Sequence, residues 1–378
     1  MTLPPAPAPV LVDDDASLAG LLARFDAETG AAVPLDTEAD SFHHYFEKIC
    51  LLQLHADGAA FLVDPLASLP LTPLLARLSE RELLMHGADY DLRLLYRGFR
   101  FRAQTVFDTM IAAQLLGESE IGLAALLQRR LGVTLDKAHQ RADWSLRPLP
   151  PTMVAYAAAD VVHLPALVAS LRSDLEAAGR LEWHREECER LAAASFPEDR
   201  AGDPENDWRI KGTNGLGDRE RAYVRAIWEV REARARALDA PPFRVLTNER
   251  LLHAAKLAVA GAADLTKLFP GPRPLPGAFA AEVRRALDAA RALPPEAWPK
   301  PRRSAAAEAD PALERAVEKL KKERDRKAAA LKLDPGVLAS RVVLTAAARA
   351  LLDGVPLSAD RLAARAGISH WRARLLAG

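Results

Sequence analysis

Short apolar runs separated by turn residues dominate the first part of the chain. Ala31-Ala32-Val33-Pro34-Leu35 leads into Asp36-Thr37-Glu38. Ile49-Cys50-Leu51-Leu52-Gln53-Leu54 and Ala59-Ala60-Phe61-Leu62-Val63 follow, bounded by His55-Ala56-Asp57-Gly58 and Asp64-Pro65. Runs this short fit buried strands better than helices, so they predict a three-stranded unit. After Pro70 helical segments take over, with strand-like stretches near Leu83-Leu84-Met85 and Gln104-Thr105-Val106-Phe107. Alternation of this kind predicts an α/β layer fold. The first ten residues, rich in Pro and Ala, are expected to be loose.

Near Ser195 the pattern changes. A cluster of turn formers through Pro197, Gly202, Pro204 and Asn206 predicts a linker over 196–207. Beyond it everything is helical. Arg219 to Ala237 is expected to form one helix, stopped at Asp239-Ala240-Pro241-Pro242, and Thr247 or Asn248 can cap the next. A second Pro-rich linker is expected over 294–310. The domains are therefore 1–195 (α/β), 208–293 (helical) and 311–378 (helical).

Length and composition narrow the class. The 378 residues suit two or three domains, and 49% hydrophobic with 27% charged residues is ordinary for a globular chain. Lys plus Arg and Asp plus Glu are 51 each, a net charge of zero, which excludes a uniformly basic nucleic-acid binder but not a local basic patch. The two cysteines, Cys50 and Cys188, exclude a disulfide scaffold and a cysteine zinc site and point to a reduced cytoplasm. Neither an N-terminal h-region nor a run of about 18 apolar residues stands out, so no membrane association is expected.

Candidate chemistry lies in three acidic settings. Asp36 and Glu38 are two apart on a strand and share one face. His86-Gly87-Ala88-Asp89-Tyr90-Asp91 ends a strand and opens a helix, where a first-turn carboxylate is favoured by the helix dipole. Tyr156-Ala157-Ala158-Ala159-Asp160 is a helical run that puts Tyr156 and Asp160 one turn apart, after Pro150 and Pro151 at its start. Taken singly, each reads as a polar strand edge, a helix cap and an amphipathic helix. Converging carboxylates would raise one another's pKa unless hard divalent cations such as Mg²⁺ or Mn²⁺ neutralised them. Two such ions about 4 Å apart clamp a phosphodiester.

These residues resemble the ribonuclease D family, of the DEDDy group of 3′–5′ exonucleases. The resemblance covers roughly residues 30–190 and rests on three motifs in order: Leu35-Asp36-Thr37-Glu38 with His44-Tyr45, then His86 to Asp91, then Tyr156 to Val161. Phe107-Asp108-Thr109 and the stretch His139 to Leu149 between them are also similar. The resemblance implies a ribonuclease H-like mixed sheet flanked by helices. It implies that Asp36, Glu38, Asp91 and Asp160 bind two Mg²⁺ or Mn²⁺ ions, with Asp36 bridging, and that Tyr156 positions the attacking water. It further implies RNA with a single-stranded 3′ end as substrate, tRNA precursors foremost, and nucleoside 5′-monophosphates as products. The helical half resembles HRDC domains: Trp208-Arg209-Ile210-Lys211-Gly212 opens the first, and a weaker, divergent match covers 311–378, including Leu331 to Leu338. A cytoplasmic monomer is expected.

The same chemistry on DNA is the enzyme alternative, and a nucleic-acid-binding protein with an inactive exonuclease domain is the other; loss of one acid would mark the latter, and all four are present. Lys319 to Lys327, Arg231, Arg234 and Arg236, and Lys137, Arg141 and Arg147 can each be read as phosphate contacts or as salt-bridging surface. His43, His44, His86 and His163 lack zinc-site spacing and read as packing or supporting groups. A phosphate-binding G-x-x-x-x-G-K-[ST] loop and a G-x-S-x-G elbow are both missing from the sequence.

Overall fold

The computed structural model describes residues 8–377 except 29, 137, 195–202, 204, 263, 271–274, 302–309 and 355–357. The first seven residues, Lys137, most of the first expected linker and residues 302–309 of the second lie outside the described residues. The chain divides into two compact units: Met1–Ala39, Lys48–Phe196 and Ala309–Gly378 form one, and Asp40–Glu47 with Pro197–Glu308 form the other.

In the first unit the strands are β1 (Val10–Val12), β2 (Val33–Ala39), β3 (Ile49–Ala56), β4 (Ala59–Val63), β5 (Glu82–Met85) and β6 (Thr105–Asp108). They make one mixed sheet in the order β1-β4-β3-β2-β5-β6. The expected three-stranded unit is the antiparallel β2-β3-β4 meander, and β5 and β6 add in parallel beyond β2. Val10 was expected to be loose but begins β1, which pairs in parallel with β4. Three residues are too few to show a period, so only pairing reveals this strand.

Helices flank the sheet: α1 (Asp15–Ala27), α2 (Thr72–Ser79), α3 (Asp89–Phe99), α4 (Thr109–Leu116), α5 (Leu123–Leu131), α6 (Pro151–Val162), α7 (Leu164–Ala177) and α8 (Leu181–Ala192). Residues Pro151–Ala177 are long and apolar enough by composition to cross a membrane. They are two helices meeting at His163, however, with Ala157, Val161, Leu167 and Leu171 buried in the core.

The second unit holds α9 (Asp218–Ala237), α10 (Pro242–Val245), α11 (Asn248–Val259), α12 (Leu265–Leu268) and α13 (Gly277–Ala292) around Trp208, Tyr223, Ile227 and Phe279. Thr247 caps α11 by accepting from the Arg250 amide. Arg231 is 3% exposed and is used internally, on Glu232, the Leu246 carbonyl and Asn248.

The last segment is α14 (Pro311–Leu331), α15 (Pro335–Leu338), α16 (Arg341–Leu352), α17 (Ala359–Ala366) and α18 (His370–Ala377). It packs within the first unit. Trp371 stacks on Trp183 of α8, with ring centroids 4.5 Å apart and planes at 7°. Buried Glu187 accepts from Ser369 and from the Trp371 indole at 2.9 Å, and pairs with Arg372 at 3.0 Å. On α14, Lys327 donates to the Leu375 carbonyl, Arg324 to the Ala339 carbonyl, and Arg326 pairs with Glu323. Much of this basic stretch is thus engaged locally.

Candidate active site

β2 runs through the middle of the sheet, so its two faces are separated by the pleat. Val33 and Leu35 face one core. Asp36 and Glu38 pair across β3 with Gln53 and Leu51. Directly opposed residues share a face, so both carboxylates point to the side where Leu51, Leu62, Trp144 and Ala157 of α6 cluster. β2 pairs with β5 only through Val33 and Pro34, and a bulge at Glu38/Ala39 interrupts its pairing with β3. The strand ends therefore part where the acids stand. In an open sheet, that gap at the carboxyl ends of adjacent parallel strands is where ligands bind.

From the end of β5 the chain turns through His86-Gly87-Ala88 into α3, which begins at Asp89 and places Asp91 in its first turn. The turn is held by Asp108, the last residue of β6 and the N-cap of α4, which is 2% exposed. One carboxylate accepts from the amides of Gly87 and Ala88, both at 2.9 Å, and of Met110 at 2.8 Å. Gly87 has φ +69, a left-handed conformation that favours glycine, and a Cβ there would also push against the Met110 methyl at 2.9 Å. Asp108→Ala strips an acceptor from one buried and two half-buried donors, and we expect a loss of about 2–3 kcal/mol in a urea melt, since an unmet buried group costs about 1–3 kcal/mol. Activity should fall with the loosened approach to Asp91. An unchanged melt would show that the turn holds without this carboxylate.

α6 starts at Pro151 and lies across β2, β3 and β4. Ala157 and Ala158 face the sheet, and their small side chains let the helix approach closely. Tyr156 and Asp160, one turn apart, then project into the same space as the β2 acids. The Tyr156 ring is framed by Trp144 and His139, with centroids 5.9 and 5.7 Å away.

All five residues singled out from the sequence, Asp36, Glu38, Asp91, Tyr156 and Asp160, line one cavity of about 650 Å³. Burial is the main force on the acids there. It pushes Asp36 and Asp160 up to about 7, with the Asp160 charge adding to the rise at Asp36. Asp91 rises to about 8 through burial and the Asp36 charge, although the Thr37 hydroxyl donates to it and opposes the shift. Glu38 rises to about 9 through burial and then the charges of Asp36, Asp160 and Asp91. Burial and then the charges of Asp160, Glu38 and Asp36 also raise Tyr156, which keeps its phenolic proton.

Four buried or half-buried carboxylates that repel one another make an oxygen-rich donor set suited to hard divalent cations. Among the described residues, no three His, Cys, Asp or Glu side chains are already drawn together as a cage. The donors fit such ions by their chemistry and by the cavity they share.

The cavity also contains residues with no role foreseen from sequence: Thr37, Tyr90, Glu120, Asp136 and Gln140. His86, read as a packing or supporting group, lines it too. Thr109 donates its one hydroxyl proton to the Met85 carbonyl at 3.1 Å. The His86 Nδ1 at 2.9 Å from that hydroxyl must therefore be the donor, which leaves Nε2 as the acceptor of a neutral ring. Burial favours that neutral form by lowering the His86 pKa. Arg147 is committed elsewhere, in a two-pronged pair with Asp64 and a bond to the Cys50 carbonyl. Asp89, beside Asp91, is exposed and pairs with Arg93 at 2.7 Å.

The chain is similar to known proteins over most of its length. A family model for a 3′–5′ exonuclease matches residues 9–176, and one for an HRDC domain matches 220–275. A ribonuclease D of Gluconacetobacter diazotrophicus is 34% identical over 299 residues, covering 78% of this chain and 75% of that one. The structure of Escherichia coli RNase D, an exoribonuclease involved in structured RNA processing, matches with a TM-score of 0.68 and 26% identity over 93% of this chain and 92% of that one. The catalytic core of RRP6 from Trypanosoma brucei matches with a TM-score of 0.62 and 26% identity over 75% and 78%. A carboxylate-lined cavity at the carboxyl ends of β2 and β5, in a chain so similar to ribonuclease D over most of its length, makes this protein a member of the ribonuclease D family of 3′–5′ exoribonucleases.

Proposed function

We propose that the chain trims RNA from a single-stranded 3′ end, tRNA precursors foremost, releasing nucleoside 5′-monophosphates. The observation that carries this is the convergence of Asp36, Glu38, Asp91 and Asp160 on one cavity, with Tyr156 beside them. These four acids would hold two Mg²⁺ or Mn²⁺ ions, Asp36 serving both. When bound, such a pair activates water and stabilises the leaving 3′ oxygen. Asp36 and Glu38 ride on a central strand, and Asp91 on a turn fixed by Asp108, so these donors are held by rigid elements rather than by loops. Tyr156 keeps its proton and orients the attacking water through its hydroxyl. The helical stretch 311–378 is read as a second, divergent HRDC-like module.

The test uses single-stranded RNA and DNA oligomers of one sequence, labelled at the 5′ end. Stepwise shortening from the 3′ end, nucleoside 5′-monophosphates in the supernatant and faster loss of RNA are expected. Internal cuts, or 3′-monophosphate products, would contradict the mechanism. Faster loss of DNA would overturn the RNA assignment alone.

A further inference from the structure

The described residues have three exposed phenylalanines: Phe42, Phe46 and Phe243, at 43%, 59% and 50% exposure. All three belong to the second unit and sit on segments joined by polar contacts. Phe42 and Phe46 flank the turn His43-His44-Tyr45. The carboxylate of Asp239, just past α9, accepts from the amides of Tyr45 at 3.0 Å and Phe46 at 3.2 Å, and its other oxygen meets His44 Nδ1 at 2.8 Å. Arg244, next to Phe243, donates to His43 Nδ1 at 2.9 Å. Asp239 holds φ +44, a left-handed conformation uncommon outside glycine and tolerated by Asp, and this aims its carboxylate at the loop. The loop is thus ordered in advance of any ligand.

Single exposed Phe side chains are ordinary, but three of them on segments that polar contacts hold together mark this surface out. Cations surround it. Arg236 lies over the Tyr45 ring, 5.5 Å from its centroid, and both Arg236 and Arg244 are exposed. A cavity of about 580 Å³ opens beside Phe243, lined also by Ile210, Pro242, Thr247 and Glu249. Flat aromatic faces interleaved with arginines are what a single nucleic-acid strand needs: bases stack on the rings while phosphates meet the guanidiniums. A protein partner would need no such alternation. Phe42 follows Glu38 by four residues in the chain.

We infer that Phe42, Phe46 and Phe243, with Arg236 and Arg244, form a base-stacking platform for the single-stranded RNA upstream of the 3′ end. The inference rests on the exoribonuclease reading for the identity of its ligand. Its test therefore reads binding separately from hydrolysis. Fluorescein-labelled oligoadenylates of 4 and 16 nucleotides are titrated with the 378-residue chain in EDTA and followed by anisotropy. The wild type should prefer the longer strand. The double variant F42A/F46A should lose about tenfold or more in affinity for it, since single stacked bases are worth that much on alanine substitution. Its affinity for the short strand should change less. F42W/F46W should restore binding, because tryptophan stacks as well. With metal present, the alanine variant should raise KM for the long strand and leave kcat unchanged. An unchanged Kd for 16 nucleotides, in a variant that melts like the wild type, would overturn the platform and leave the surface to a protein partner. Equal losses on both strands, or no rescue by tryptophan, would also overturn it. Phe-dependent binding without hydrolysis would uphold the platform while removing the nuclease reading.

Discussion

Asp160→Asn lowers kcat by about 10²- to 10³-fold or more, the scale on which single preorganised charge-stabilising groups act. The side chain keeps its shape and loses its charge. Asp160 is 8% exposed, and burial holds its pKa at about 7, so the ionised form is disfavoured in the metal-free fold. Asparagine relieves that penalty. The variant should therefore melt no lower than wild type in EDTA at pH 8, yet gain less from added Mn²⁺. This combination separates an ion-holding carboxylate from a merely structural one. Wild-type turnover in the variant would remove Asp160 from the chemistry. Tyr156→Phe provides the contrast: the ring remains packed between Trp144 and His139, the Mn²⁺ response stays intact, and only the rate falls.

The second large effect concerns the metal-free protein and pH. All four acids have folded pKa values above their ordinary ones: about 7 for Asp36 and Asp160, about 8 for Asp91 and about 9 for Glu38. Between the ordinary and the raised values, the folded chain binds more protons than the unfolded chain. Stability contributed by these groups is thus complete below about pH 4 and is lost as pH rises towards about 9. In EDTA the melting temperature of the first unit should fall across that window. Divalent ion should reverse the fall, since it replaces protons as the neutralising charge. At a hundred times its Kd the ion adds about 2.7 kcal/mol, or roughly 5–10 °C for a unit of this size. The reversal should be greatest at high pH, and proton release on binding should be visible by calorimetry in two buffers. A melting temperature in EDTA that is flat or rising from pH 5 to 9 would show that the acids do not feel one another.

What could be read from sequence was whatever is local. Two carboxylates at i and i+2 on β2, and Tyr156 with Asp160 at i and i+4 on α6, need only the strand and helix periods. Asp91 needed the family resemblance, because Asp89 and Asp91 both fall in the first turn of α3. The structure separates them by burial: Asp91 lies under the Thr37 hydroxyl and Asp89 faces solvent with Arg93. Asp108 stood in a stretch similar to the family, yet its task depends on β5 and β6 being neighbours, which no local pattern encodes. The use of each arginine was equally hidden. Arg147 and Arg231 could have been phosphate contacts and are internal ties, because a cation's role is set by what the fold brings to it.

The placement of α18 against α8 bears on how the chain can be made. Most of the helical unit, Pro197–Glu308, is one continuous stretch lying between two parts of the nuclease unit. Synthesis runs from the N-terminus, so this middle stretch has all its own residues before the nuclease unit does. Until Ser369 and Trp371 leave the ribosome, Trp183 lacks its stacking partner, and the carboxylate of Glu187 lacks two of the donors that satisfy it. The nuclease unit therefore completes its folding only after translation has passed α18.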